Sequence, residues 1–178
     1  MRFLCWLLVL VAGPTWAVEI EALSVVRKGR TFQTSAVFLV DVPREQVMRA
    51  ATDFERMGDV NPAVVDTTVA PLASGETRVT TTLYDCVALV CRTVTLVEDV
   101  RHHATGRLST RVVPSAGDFT GGGATWRFDE TAHGTRVHYE GEIRPSFWVP
   151  RLLGTRAFKR SLRRQVTATA KHLEALSY

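Results

Sequence analysis

No signature of a common catalytic centre stands in this chain of 178 residues. A G-x-S-x-G elbow, an H-E-x-x-H pair, a phosphate-binding P-loop and a G-x-G-x-x-G turn opening a helix are all missing. Gly121-Gly122-Gly123 precedes a strand pattern and so cradles no phosphate. Cysteine is scarce: the chain has 3, one of them Cys5 near the N-terminus. Metal-ligand spacing is lacking as well, since His102-His103 sits at a turn, a strand away from the other cysteines. No metal and no cofactor is expected. The 22 Lys and Arg against 18 Asp and Glu leave a net charge of +4, too small to imply nucleic acid without interleaved exposed aromatics. Repeats, low-complexity tracts and linkers are absent, so one domain, expected to be monomeric, with a real core is the reading.

The apolar run Phe3 to Ala12 falls short of the ~20 residues that span a bilayer. It follows Arg2, is broken by Gly13-Pro14 and ends at Thr15-Trp16-Ala17, a small-x-small cleavage pattern. Residues 1–17 therefore read as a signal peptide and 18–178 as a periplasmic or secreted domain; an uncleaved anchor is the alternative. Cys5 has no lipobox before it, which argues against a lipoprotein. Export leaves Cys86 and Cys91, in YDCVALVCRT. An even pair this close in an oxidising compartment points to a disulfide, with metal or redox chemistry the weaker alternative.

What the chain does have is one long amphipathic segment at its end. From Pro150, suited to a first helical turn, Phe158, Leu162, Val166, Ala170, Leu173 and Leu176 recur every three or four residues. Arg156, Arg160, Arg163, Arg164 and Lys171 fall on the opposite face, read as solvated, with attraction to anionic lipid as the alternative. Upstream the pattern is mostly β: Val18–Val26, Thr31–Val40, Val64–Leu72, Thr77–Cys86, Cys91–Arg101, Gly106–Val113, Phe119–Asp129 and Thr135–Arg144. One helix interrupts, over PREQVMRAATDFERM, with Asp41 as the expected cap. Short turns make the later strands an antiparallel meander. Gly121–Gly123 suggests a bulge that bends the sheet.

Strand, helix, meander and long C-terminal helix form an α+β layout. The stretch FQTSAVFLVDVPREQVMRAATDFERMGDVNPAV resembles the opening of the START-like (SRPBCC) superfamily. GDFTGGGATWRF, GTRVHYEGEIRPSFWVP and the terminal helix are similar to its polyketide cyclase/dehydrase and lipid-transport branch, which includes coenzyme Q-binding START proteins. The resemblance covers roughly Thr31 to Leu176. It implies a helix-grip fold, a curved antiparallel sheet wrapped around the C-terminal helix, with an apolar pocket between them. The implied partner is a hydrophobic small molecule or lipid, and a cyclase or dehydrase acting in the same cavity is the second reading.

Alternation points Trp126, Phe128 and Tyr139 inward, toward Phe158, Leu162 and Val166 on the helix. With Phe147 and Trp148 these are the candidate ligand-binding residues, Trp126 being readable also as plain core. Asp85, Glu98 and Tyr139 are the candidate interior acid or base groups, with Arg92 available to pair a carboxylate. His138, Glu140 and Glu142 point outward. Hairpin parity gathers Val87–Val90, Pro114–Gly117 and Pro145–Val149 at one end. Val87, Leu89, Val90 and Trp148 there are expected to touch a membrane or form a pocket mouth, or else to pack on each other.

Overall fold

Burial with a period of two sets the sheet. In β2 (Thr31–Val40), Phe32, Thr34, Ala36, Phe38 and Val40 are buried and the residues between them are not. The computed structural model describes residues 19–87, 90–149 and 151–175, with Asp85, Val87, Val90 and 151–154 described by backbone alone. The other strands are β1 (Glu19–Lys28), β3 (Val64–Pro71), β4 (Thr77–Val87), β5 (Val90–His103), β6 (Arg107–Val112), β7 (Phe119–Thr131) and β8 (Gly134–Pro145). They form one 8-stranded antiparallel sheet in the order β1-β2-β8-β7-β6-β5-β4-β3. The β2–β8 pairing, from Phe32 opposite Ile143 to Val40 opposite Thr135, joins the first hairpin to the end of the meander.

The expected bulge is present. Register shifts between Phe119 and Gly121, and Gly122 has φ +132°, where its missing side chain lets Glu142 backbone approach. The helix before the meander is not continuous, which corrects the sequence reading. It divides into α1 (Arg44–Thr52), a 3-10 turn at Phe54–Arg56 and α2 (Met57–Val60). Leaving the helix at Asp53 lets Phe54 meet the His102 ring edge-on at 6.1 Å. Asp41 is not the cap. Pro43 holds that position, and its carbonyl accepts the N–H groups of Gln46 and Val47 at 2.9 and 3.2 Å.

The terminal helix, α3 (Arg151–Ala175), crosses from β1 and β2 to β4 over the inner face of the sheet. Val166, Ala170 and Leu173 are buried; Arg156, Arg160, Arg163, Arg164 and Lys171 are exposed, as the stripe requires. Leu176 lies outside the described residues. Phe158 stacks on Phe32 at 5.4 Å, and Thr169 Oγ1 donates to the Val60 carbonyl at 3.0 Å, satisfying the end of α2.

One end of this grip is shut. Val40, Val42 and Val47 pack with Leu108, Phe128 and Val137 beneath α1. Arg44 Nε donates to the Phe128 carbonyl at 2.9 Å, and buried Thr135 Oγ1 donates to the Val42 carbonyl at 2.7 Å. Any interior space must therefore open at the other end, where β1 turns into β2 and β8 hands over to α3.

A candidate ligand cavity and its mouth

On the inner face of the sheet the apolar wall is interrupted by a small polar group of residues. Glu98 lies opposite Val79 on β4 and Val112 on β6, both buried. The Ala124 N–H donates to Thr110 Oγ1 at 3.0 Å, and Thr110 Oγ1 donates to Glu98 Oε1 at 2.7 Å. Burial pushes the Glu98 carboxyl above its ordinary pKa, and the Thr110 hydrogen bond only partly offsets this. Tyr139 is next to it. Burial raises the phenol, a bond with the Thr34 hydroxyl pulls it back, and Glu98 raises it further.

Tyr139 owes its pose to small neighbours. Its ring meets Trp126 at 4.4 Å and folds along its own strand over Gly141. A Cβ at Gly141 would stand 2.5 Å from the Tyr139 hydroxyl and 3.2 Å from the Ala124 methyl. Thr34 Oγ1 also donates to the Gly141 carbonyl at 3.1 Å. Glu98 and Tyr139 are both part-buried, each keeping some accessible surface, and Tyr139 packs with Trp126 against the core cluster.

The candidate residues divide among three places. Trp126 and Tyr139 stand at the polar wall, with Leu162 packed against the neighbouring core and Phe158 against Phe32. Phe128 and Val166 belong to the buried core cluster. Phe147 and Trp148 form the open end. There Phe147 packs edge-on to buried Phe119 at 6.3 Å and beneath the Arg92 guanidinium at 4.2 Å, while Trp148 is 79% exposed. Arg92 also stands 3.9 Å from Asp118. Leu89 lies outside the described residues, as do the side chains of Asp85, Val87 and Val90. Cys86 and Cys91 face each other across β4 and β5 and are joined, S–S 2.03 Å.

Pattern reading missed Thr34, Thr110 and Gly141 as partners of the interior group. The parity of Thr34 and Gly141 was visible, but not that their bonds converge with those of Thr110. It also missed Arg27 and Arg30, because their acceptors, the carbonyls of Pro145, Ser146 and Val149, lie over a hundred residues away. Outward-pointing His138 Nε2 stands 3.1 Å from Asp129 Oδ2, and Arg127 pairs with that carboxylate. The outer face carries an open groove of about 660 Å³ along Ser24, Gln33, Ser35, Thr125, Glu140 and Glu142. It lies across the sheet from α3 and is open to solvent, so it gives an apolar ligand no enclosure. Among the described residues no three His, Cys, Asp or Glu side chains converge on a metal position.

An antiparallel sheet curved around a long C-terminal helix is the helix-grip fold of START-like proteins. Residues 31–174 match the family described as polyketide cyclase / dehydrase and lipid transport, and the chain belongs to that family. No curated protein matches it. Among solved structures, a protein from Thermus thermophilus is similar at TM-score 0.68 and 20% identity, over 82% of this chain and 99% of that one. A STAR-related lipid transfer protein from Xanthomonas axonopodis is similar at TM-score 0.65 and 14% identity, over 88% and 98%. The ZhuI aromatase/cyclase from a Streptomyces species is similar at 0.61 and 13%, over 83% and 93%. At these identities the likeness concerns the fold.

Proposed function

We propose that the protein binds and carries a hydrophobic molecule between its sheet and α3. The observation that carries this reading is the accessible surface retained by Glu98 and Tyr139 inside an otherwise apolar grip. An apolar chamber with a few converging polar groups suits a small amphiphile: the apolar wall supplies affinity and the polar group orients it. The Glu98 carboxyl and the Tyr139 hydroxyl offer hydrogen-bonding groups side by side on an apolar wall. That pair favours a ligand whose buried end carries a hydroxyl or carbonyl, such as a quinone, a polyketide-like ring or a lipid with an uncharged polar group. Native mass spectrometry of the purified protein, followed by organic extraction, tests the reading. A bound apolar species, lost on extraction, is expected; protein found ligand-free and refusing added quinone or lipid would refute it.

The second reading is a cyclase or dehydrase, favoured by the same raised carboxyl, which sits where a general acid would be needed. The two part on Glu98→Gln. A carrier keeps its ligand with altered affinity, whereas an enzyme keeps binding and loses turnover. The reading places the protein outside the cytoplasm, periplasmic or secreted, with residues 1–17 removed; the leader pattern and the Cys86–Cys91 pair support this. N-terminal sequencing of the recovered protein tests it, a start at Val18 being expected.

A further inference from the structure

We infer that the open end is a docking surface for an anionic lipid membrane, built from Trp148 and a collar of arginines. It gives the proposed carrier a route to its ligand, but the docking rests on observations of its own. Two strand ends and the handover to α3 meet here. Arg27 Nη1 donates to the Val149 carbonyl at 3.0 Å, and Arg30 Nη2 donates to the carbonyls of Ser146 and Pro145 at 2.8 and 3.3 Å. Arg144 Nε donates to Thr31 Oγ1 at 3.2 Å. The acceptors of Arg30 and Arg144 are uncharged, so those bonds fix the loop without neutralising these two guanidinium groups. Lys28 stands exposed in the same turn. Among the described side chains, Asp118 stands 3.9 Å from Arg92 and Glu142 faces Gln33 on the outer sheet surface.

Within this basic collar Trp148 is 79% exposed, held up by a loop that the arginines fasten on both sides. Indole favours the membrane interface, and guanidinium groups beside it meet lipid phosphates. A helix of a protein partner would need a groove, but the hollow beside Trp148 holds only about 140 Å³. That hollow shares Phe32 with the Phe158 stack, so the docking surface adjoins the apolar interior. A molecule leaving the bilayer would pass Trp148 and Phe32 to reach the stripe of α3.

The test is co-sedimentation of the purified protein with phosphatidylcholine vesicles, with and without phosphatidylglycerol. Binding should need the anionic lipid and weaken with salt. Binding to both vesicle types alike would assign it to the apolar N-terminal segment and overturn the inference. Arg144→Gln should weaken binding roughly fivefold and Trp148→Ser at least as much, while Arg163→Gln on the exposed back of α3 leaves it unchanged. The reverse pattern would move the docking surface to the helix and refute the inference. Brominated lipid should quench the wild-type tryptophan emission, and Trp148→Phe should remove that quenching; this readout stands even if a collar variant folds poorly. Capture by poly-glutamate without vesicle binding would assign the surface to an acidic protein instead. Vesicle binding by a protein that takes up no apolar ligand would leave the docking standing and the carrier role refuted.

Discussion

Glu98 and Asp99 are neighbours in β5 whose carboxyl groups face opposite sides of the sheet and are shifted in opposite directions. Glu98 turns inward and is raised by burial. Asp99 turns outward, where Arg78 donates to its two oxygens at 2.7 and 3.1 Å, and this bond lowers it. Arg111 stands 3.9 Å from the same group.

Their pH signatures should therefore be opposite. The raised Glu98 favours folding fully below its ordinary value, and that contribution is lost as pH rises through its folded value. Glu98→Gln should then gain stability relative to wild type as pH rises from about 4. The lowered Asp99 contributes stability above its ordinary value and loses it as pH falls through the folded one. Asp99→Asn should be less stable than wild type at neutral pH and converge with it in acid. Urea unfolding across pH checks both; parallel curves for the two variants would remove the assignment.

Gly141 should be the position where the smallest side-chain addition disturbs the interior. Gly141→Ala places a methyl where the Tyr139 hydroxyl lies, so the ring must leave Thr34 or Trp126. The expected cost is about 1–3 kcal/mol, the range for overpacking, with a change in the near-ultraviolet aromatic signal. Unchanged stability and spectrum would show that the shelf is not needed.

The Cys86–Cys91 bond closes a short hairpin, the residues being 5 apart in sequence. On the chain-entropy account it contributes about 2 kcal/mol. Unfolded, unreduced protein should show no free thiol from this pair, and reduction should lower the melting temperature without dissolving the sheet. Two reactive thiols would contradict the pairing.

How much of this was legible in the sequence depends on the range of the interaction. Phe32 to Val40 and Phe158 to Leu173 announce their faces by period alone, because one side of each element is core. The orientation of Glu98 was left open, whereas the inward parity of Trp126 and Tyr139 followed from the same count. The break at Asp53 did not, because it answers to His102 on a distant strand. Nor did the fastening of Val149 by Arg27, since pattern says nothing about which carbonyl a remote guanidinium will reach. The turn after Cys86 could be placed at one end of the sheet but not given contacts.

The central claim is an apolar binding space against α3, and the most direct test is uptake of a fluorescent fatty-acid probe by wild type and Leu162→Trp. Leu162 is partly buried beside the core, so a larger side chain there should fill space a ligand would occupy. Saturable uptake by wild type, lost in a variant that unfolds with the same cooperativity and at most about 1–3 kcal/mol less stability, is the predicted result. Equal uptake by both proteins, or none by wild type, would contradict the account.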